Sequence, residues 1–298
     1  MEAILFDCTQ GTELASKIHQ RLNVEAGKFE TRKFPDGESY LNILSDVNKK
    51  RVIVVASLLS PDDKILQLIF LARTLRELGA LNVGIVAPYL GYMRQDKKFK
   101  PGEALTSKIF AGLINEYFDW LITVDPHLHR YQNLNEIYSI PTQTLHARNL
   151  LASWVKANKP DALLVGPDEE SEQWVGAVAE RAGVNFCVAT KQRFGDTNVQ
   201  ITFPDLPADQ SVAVIVVDDI ISSGYTMLES VRALKLLNRT DITCLAVHGI
   251  FAAMVDRKLQ KAGVSQIVTT NSIAHESNAI DLSELIVPAI IEMIGGKK

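Results

Sequence analysis

Cysteine is scarce in this sequence, since only Cys8, Cys187 and Cys244 occur among its 298 residues. Three cysteines scattered along the chain exclude a disulfide framework and a clustered zinc site, and they fit a protein of the reducing cytoplasm. Long apolar runs are also absent, because none approaches the ~18 residues that suggest a membrane span. The first seven residues lack the basic start and extended apolar stretch of a signal peptide. We therefore expect a cytoplasmic protein that does not bind membranes.

Neither sign of charge dominates. The 31 Lys and Arg residues stand against 35 Asp and Glu residues, which gives a formal net charge of −4. This balance argues against nucleic-acid binding through a broad basic surface, although it leaves room for local basic pockets. Apolar residues make up 47% and charged residues 22% of the chain, which excludes a disordered protein, a collagen or a coiled coil. The length predicts about two domains.

Short apolar runs alternate with amphipathic helical stretches along most of the chain. Arg51–Ala56 is a predicted strand, Asp62–Leu78 a predicted helix, and Val83–Ala87 the next strand. The same alternation continues as far as Thr243–His248, and it favours an α/β fold whose parallel sheets are covered by helices on both faces. The segment Phe29–Leu44 differs, because it alternates around a Pro-Asp-Gly turn and predicts an antiparallel pair.

Two segments of the sequence are similar to each other. The unit Val52–Ala87 resembles Val212–His248, and adding 161 to the residue numbers superposes their strands. Because any two strand–helix–strand units look somewhat alike, one interpretation is that this similarity arose by chance. The alternative is a duplicated fold with two similar domains, which we place at residues 1–143 and 144–298. The last helix, Leu282–Ile294, is a candidate for packing back on the first domain.

Val214–Thr226 is the most informative segment. An apolar strand leads into Asp218 and Asp219, a Ser-Ser-Gly-Tyr-Thr loop follows, and then a helix begins. Ligands of open α/β sheets bind at the carboxyl ends of strands, and the N–H groups at a helix start suit a phosphate. Paired carboxylates suit sugar hydroxyls or a bridging magnesium ion. The pattern therefore predicts a ribose 5-phosphate site, against the alternative of a capped helix with solvated acids.

Three further motifs carry polar groups. Phe34–Glu38 (Phe-Pro-Asp-Gly-Glu) is either an ordinary turn or part of a site. Tyr89–Lys98 follows a strand, and it is either a solvated basic loop or a site in which Arg94 offers a planar fork to phosphate oxygens. His127 and His129 follow another strand end, and they would share one side, as metal ligands need, if that strand persisted.

Together these motifs resemble a known family. Val214–Thr226 resembles the phosphoribosyl pyrophosphate (PRPP) loop of the type I phosphoribosyltransferase fold. The order of all motifs is similar to that of the ribose-phosphate pyrophosphokinases, namely Phe34–Glu38, Tyr89–Lys98, Asp125–His127, Lys191–Arg193 and the PRPP loop. The resemblance implies transfer of the diphosphoryl group of ATP to the C1 hydroxyl of ribose 5-phosphate, with Mg²⁺, giving PRPP and AMP. It also implies two similar phosphoribosyltransferase-like domains, each a mostly parallel sheet flanked by helices, of which the first has a degenerate PRPP loop.

The resemblance also implies roles for individual residues. The residues expected to bind ATP are Phe34, Asp36, Glu38, Arg94, Gln95, Asp96 and His127. Those expected to bind ribose 5-phosphate are Asp168, Asp218, Asp219, Ser222, Ser223, Gly224, Tyr225 and Thr226. His127 and Asp168 are the expected metal ligands, and Lys191 and Arg193 the expected catalytic pair on a mobile loop. The hairpin with Phe34 would come from a neighbouring subunit, so the resemblance implies a homo-oligomer with its active site at a subunit interface.

The sequence departs from the family pattern after Asp168. The usual small, Gly-containing loop is replaced by Glu169, Glu170, Ser171 and Glu172, so these acids either bind magnesium or face solvent at the start of the next helix. Two other functions stay open at this point. One is a phosphoribosyltransferase that acts on a nucleobase, and the other is a non-catalytic regulatory relative.

Overall fold

A computed structural model describes residues 2–9, 12–128, 130–194 and 198–295, with only the main chain for 191–194 and 198–200. The chain divides into two compact units. The first comprises residues up to Leu145, together with Ser272–Ala274 and the segment from Leu282 onward. The second comprises His146–Asn271 and His275–Asp281. The main boundary between the units follows Leu145, two residues after the domain boundary that we place at residue 143 from the sequence.

The first unit is built on six parallel strands. Its elements up to Leu145 are β1 (Ala3–Asp7), α1 (Leu14–Leu22), β2 (Glu25–Ala26), β3 (Phe29–Lys33), β4 (Ser39–Ile43), β5 (Arg51–Val55), α2 (Ile65–Glu77), β6 (Asn82–Ala87), α3 (Thr106–Tyr117), β7 (Trp120–Val124) and β8 (Thr142–Leu145). The sheet order is β2-β1-β5-β6-β7-β8. Strands β5, β6 and β7 are almost wholly buried, as their continuous apolar runs predict.

The second unit repeats this plan. Its elements are α4 (Arg148–Asn158), β9 (Leu163–Gly166), α5 (Glu172–Ala182), β10 (Phe186–Val188), β11 (Thr190–Phe194), β12 (Asn198–Thr202), β13 (Val214–Ile221), α6 (Tyr225–Leu236), β14 (Ile242–Gly249), α7 (Val255–Lys261), β15 (Gln266–Thr270) and β16 (Asn278–Ile280). The sheet order is β10-β9-β13-β14-β15-β16. The two sheets match strand for strand, and β5 and β6 correspond to β13 and β14. The duplicated α/β fold is thereby confirmed.

Each unit also carries an antiparallel hairpin outside its main sheet. In the first unit β3 pairs with β4, from Phe29 opposite Ile43 to Lys33 opposite Ser39. This confirms the antiparallel pair predicted from the alternation. Gly37 has φ +94° in the turn, a conformation that glycine adopts without steric cost. In the second unit β11 pairs with β12, which the sequence analysis missed.

The last helix, α8 (Ser283–Gly295), belongs to the first unit, where it contacts α1, β7 and β8. Arg21 of α1 forms an ion pair with Glu284 at 2.9 Å, and Gln143 of β8 donates a hydrogen bond to Glu292 at 2.7 Å. The buried face of α8 is apolar and includes Ile286, Ala289 and Ile290. Within the described part of the chain, no helix is long and apolar enough to cross a membrane.

Candidate active site

Three carboxyl groups meet at the carboxyl edge of the second sheet. Strands β9 and β13 are parallel neighbours, so their carboxyl ends lie at the same edge. Asp168 follows β9 by two residues, and Asp218 and Asp219 lie near the end of β13. The three predicted acids of the sugar site are therefore brought together by strand pairing.

The carboxyl group of Asp218 is held in an unfavourable environment for a negative charge. Burial raises its pKa well above the ordinary value, and the charges of Asp219 and Asp168 raise this pKa further. One oxygen of Asp218 accepts a hydrogen bond from the backbone N–H of Asp219 at 2.9 Å. A site of this kind favours a proton, a cation or hydroxyl donors that lie between the acids.

Strand β13 is longer than the sequence predicts. The prediction ended it at Val217, but it continues to Ile221. The neighbouring strand β14 supplies backbone partners along this extension, with Asp218 opposite Ala246 and Ile220 opposite His248. Inter-strand hydrogen bonds thus outweigh the low strand propensity of the two aspartates, and the acids lie on a rigid strand rather than on a loop.

A tight loop connects the acids to α6. The carbonyl of Ser222 accepts a hydrogen bond from the N–H of Ala252 at 3.0 Å. Gly224 precedes the helix with φ +63°, and a Cβ at this position would lie 2.2 Å from a methyl carbon of Val255. Helix α6 begins at Tyr225 without a side-chain cap, so its first N–H groups point into the loop as potential donors to an anion.

The acidic stretch after Asp168 faces solvent. Glu169–Ser171 forms one turn of 3-10 helix, and the side chain of Asp168 accepts a hydrogen bond from the N–H of Ser171 at 3.3 Å. The three glutamates of the stretch, Glu169, Glu170 and Glu172, are exposed. Their negative charge lies in the first turns of the helical segment, where the helix dipole stabilises it. This arrangement matches the solvent-facing alternative.

Two loops meet at the carboxyl edge of the first sheet. One follows β6 and carries Arg94, Gln95 and Asp96, and the other follows β7. The buried carboxylate of Asp96 forms an ion pair with Arg130 at 2.8 Å, which ties the two loops together. Gln95 accepts a hydrogen bond from the hydroxyl of Thr106 at 2.8 Å, whereas Arg94 is exposed. The sequence analysis did not identify Arg130 as a site residue. The one feature that could have pointed to it is its position directly after His129.

The two histidines do not follow the geometry of a continued strand. Strand β7 ends at Val124, and Asp125 has φ 36°. The alternation that would place His127 and His129 on one side therefore stops before either residue. His127 is half-buried, and His129 lies outside the described residues.

The hairpin tip presents its three predicted ATP ligands to solvent. Phe34, Asp36 and Glu38 are all exposed, and one oxygen of Asp36 accepts a hydrogen bond from the N–H of Glu38 at 3.1 Å. Arg32 packs against Phe34, with its guanidinium carbon 4.4 Å from the ring centroid. This contact was also missed, because no residue spacing marks a cation that faces an aromatic ring.

The predicted catalytic pair lies on the second hairpin. Both residues are on β11, where Lys191 is paired with Ile201 of β12 and Arg193 with Val199 of β12. Their side chains lie outside what the structure describes, so their catalytic role stays a prediction.

The fold and the acidic strand end are those of a phosphoribosyltransferase-type protein. The family model "Phosphoribosyl transferase domain" matches residues 133–283, and "N-terminal domain of ribose phosphate pyrophosphokinase" matches residues 3–117. The crystal structure of phosphoribosylpyrophosphate synthetase from Mycobacterium smegmatis has the same fold, with a TM-score of 0.84 at 20% identity, covering 99% of this chain and all of that one.

Curated relatives agree with this assignment. A ribose-phosphate pyrophosphokinase of Methanobrevibacter smithii is 30% identical over 288 residues, which is 92% of this chain and 95% of the relative. One from Methanosarcina mazei is 32% identical over 282 residues, 93% of this chain and 91% of the relative. The chain belongs to the ribose-phosphate pyrophosphokinase family.

Proposed function

We propose that this protein transfers the diphosphoryl group of ATP to the C1 hydroxyl of ribose 5-phosphate and releases PRPP and AMP. The observation that carries the proposal is the arrangement at the end of β13. There, three carboxyl groups adjoin a tight loop and an uncapped helix start. Carboxylates can bind sugar hydroxyls, and helix N–H groups can bind a phosphate dianion. A pentose phosphate presents both groups.

In this proposal Asp218 and Asp219 accept hydrogen bonds from the ribose hydroxyls, and Asp168 lies beside them. The loop Ser222–Thr226 encloses the 5-phosphate with hydroxyl groups and backbone N–H groups. Gly224 is required because its left-handed backbone and its closeness to Val255 leave no space for a side chain. These contacts hold the sugar in a fixed orientation for attack by its C1 hydroxyl.

We propose that the first unit binds ATP. The adenine ring stacks on the exposed ring of Phe34, and Asp36 and Glu38 accept hydrogen bonds from its amino group. Arg94, on the loop that Gln95 and Asp96 anchor, binds phosphate oxygens as a planar fork. His127 lies on the adjacent loop. The protein acts as a homo-oligomer, in which each hairpin completes the ATP site of a neighbouring copy.

The proposed cofactor is Mg²⁺, and the acids of the second unit fit it. Magnesium prefers oxygen ligands and is usually bound by one or two carboxylates plus substrate phosphates. Burial raises the pKa of Asp218, the charges of Asp219 and Asp168 raise it further, and a cation beside these acids would offset their repulsion. Asp168 is the proposed ligand on the sugar side, and His127 the one near the ATP phosphates. When bound, the ion neutralises phosphate charge.

The cysteines are free thiols, which supports the proposed cytoplasmic location.

Lys191 and Arg193 are the proposed catalytic residues. Diphosphoryl transfer leaves little covalent work to the protein, so catalysis depends on positioning and on neutralising negative charge. Cations that approach the β-phosphorus as charge shifts act mainly in the transition state, and this raises turnover.

Phosphorus NMR of the protein mixed with Mg²⁺, ATP and ribose 5-phosphate tests the proposed reaction. We expect AMP and an anomeric diphosphate to form together. Turnover only from PRPP and a nucleobase would identify a transferase instead. No turnover of either mixture would identify a non-catalytic relative. Asp219→Asn should abolish the signal, whereas Glu170→Gln, a change in an exposed acid near Asp168, should leave it intact.

A further inference from the structure

The connection from β5 to α2 is the topological counterpart of the loop Ser222–Thr226. Strand β5 corresponds to β13, and each of the two strands is followed by a helix and then by the next parallel strand of its sheet. The chemistry of the two connections differs, however. In the first unit Pro61–Asp63 forms one turn of 3-10 helix that carries two exposed acids. Because like charges repel, this connection is unsuited to a phosphate.

The same connection lies directly against the start of the loop Tyr89–Lys98. The backbone N–H of Leu58 donates a hydrogen bond to the carbonyl of Tyr89 at 2.9 Å. A Cβ at Gly91 would lie 2.7 Å from the carbonyl oxygen of Leu58 and 3.0 Å from a ring carbon of Pro61. The two segments therefore pack backbone against backbone, and this close approach requires glycine at position 91.

Tyr92 joins the two segments through its side chain. Its hydroxyl donates a hydrogen bond to the carboxylate of Asp62, and its ring packs on Phe110 of α3 with the centroids 4.9 Å apart. The backbone of Tyr92 has φ +63°, a left-handed conformation that is uncommon for an aromatic residue. Such a conformation persists only where the surrounding contacts enforce it, and the contacts with Asp62 and Phe110 supply that constraint.

Arg94 lies between this anchor and two others. On its carboxyl side Gln95 and Asp96 are held by their partners in α3 and in the loop after β7. On its amino side Tyr92 is held by the β5–α2 connection, whereas the side chain of Arg94 is exposed. A backbone that is fixed on both sides of an arginine lowers the conformational entropy that is lost when a ligand binds.

We propose that Asp62 and Tyr92 are positioning residues for Arg94. The β5–α2 connection, which occupies the place of the phosphate loop, serves in the first unit as the support of the loop that carries this arginine. The hydrogen bond to Asp62 holds Tyr92 in its left-handed conformation and so fixes the backbone from which Arg94 extends. Support of the loop is independent of the proposed function. The effect on ATP rests on that function, in which Arg94 binds the phosphates.

Hydrogen exchange of the full chain without nucleotide, measured by mass spectrometry on residues 56–64 and 89–96, tests the support of the loop. We expect Tyr92→Phe and Asp62→Ala to speed this exchange by a similar factor of ~3–10, the value of one hydrogen bond. Asp62→Asn should exchange like the wild type, since its amide oxygen still accepts the hydroxyl hydrogen. Asp63→Ala, a change in the adjacent exposed acid, is the matched control.

Steady-state kinetics tests the positioning of Arg94. We expect Tyr92→Phe and Asp62→Ala to raise the KM for ATP by ~3–10-fold, with the KM for ribose 5-phosphate and kcat nearly unchanged. Asp62→Asn should keep the KM of the wild type, which a merely structural role for the charge would not predict. Tyr92→Phe should add little to Arg94→Ala, because both changes act on one contact with ATP.

The two measurements fail in different ways. Unchanged exchange in both Tyr92→Phe and Asp62→Ala would overturn the support of the loop. Faster exchange with an unchanged KM for ATP would overturn the positioning role. A wild-type protein that binds no ATP in titration calorimetry would overturn the proposed function and the positioning role together, and the exchange measurement would still decide the support of the loop.

Discussion

The guanidinium carbon of Arg32 lies 4.4 Å from the ring centroid of Phe34 and 4.4 Å from that of Tyr40. The two rings meet edge to face, with their centroids 6.1 Å apart. Three side chains at an exposed hairpin tip thus restrain one another, and the aromatic ring proposed to stack on adenine is held in place before ATP arrives. An exposed cation–π contact contributes ~0.5–1 kcal/mol.

Replacing Arg32 should therefore weaken nucleotide binding without slowing chemistry. We expect Arg32→Gln to raise the KM for ATP by ~2–5-fold, since 1.4 kcal/mol corresponds to a factor of ten, and to leave kcat nearly unchanged. Steady-state kinetics with varied ATP measures both. Lys33→Gln is the matched control, because Lys33 contacts Ser39 rather than the aromatic rings. A fall in kcat with an unchanged KM would contradict this role for Arg32.

Asp218 should make the fold less stable at neutral pH than at acid pH. Its folded pKa lies above the ordinary value of 3.8 because of burial and of the neighbouring Asp219. Between these two pKa values the native chain binds more protons than the unfolded chain, so stability falls as the pH rises through that window. Asp218→Asn removes this penalty. We expect it to raise the Tm at pH 7.5, by an amount that shrinks as the pH approaches 4.

The same substitution should abolish synthesis of PRPP, because Asn presents an NH₂ donor where the carboxylate of Asp218 has a second acceptor oxygen, and it carries no charge to offset that of a cation. Thermal unfolding across the pH range, together with the phosphorus NMR assay, measures the two effects separately. A variant that is less stable than the wild type at pH 7.5 would show that the charge of Asp218 is satisfied in the native state.

The ion pair between Asp96 and Arg130 should stabilise the first unit. The side chain of Asp96 is 4% exposed and that of Arg130 is 47% exposed, so losing Arg130 leaves a nearly buried carboxylate unpaired. Breaking a fully buried pair costs ~3–5 kcal/mol. Because half of the arginine lies in solvent, we expect ~1–2 kcal/mol for Arg130→Gln, measured by urea denaturation.

A double-mutant cycle tests this interpretation of the pair. Asp96→Asn should restore part of the stability that Arg130→Gln loses, because no charge is then left unpaired. Arg232→Gln, which breaks an exposed pair with Glu229, should change the stability by less than ~0.5 kcal/mol. Strictly additive effects at positions 96 and 130 would mean that the two side chains do not interact in solution.

Lys191 should act on turnover and not on nucleotide binding. We expect Lys191→Ala to reduce kcat by ~10²-fold or more, as the loss of other preorganised charge contacts does, and to leave the Kd for ATP nearly unchanged. Gln192→Ala is the matched control from the same strand. Titration calorimetry and steady-state kinetics measure the two quantities. An equal loss of ATP affinity and turnover would show that Lys191 binds ATP in the ground state.

Local patterns predicted much of the fold. The predicted strands Arg51–Ala56 and Val83–Ala87 agree with β5 and β6 to within one residue at each end, because the apolar pattern of a strand is visible in consecutive residues. The hairpin around Gly37 followed from its turn chemistry. Short elements without a clear period, such as β2 with its two residues, could not be found in this way.

The sequence by itself determined the kinds of chemical group at the candidate site: paired acids, a small polar loop, a Lys-x-Arg pair and an arginine-bearing loop. The tertiary structure alone decided three further points. Strand β13 extends through Asp218 because β14 offers hydrogen-bonding partners. The carboxylate of Asp96 is paired with Arg130, 34 residues away. The hydroxyl of Tyr92 is bonded to Asp62, 30 residues away. Each depends on contacts between segments distant in the chain, and the local periodicity of a sequence does not encode such contacts.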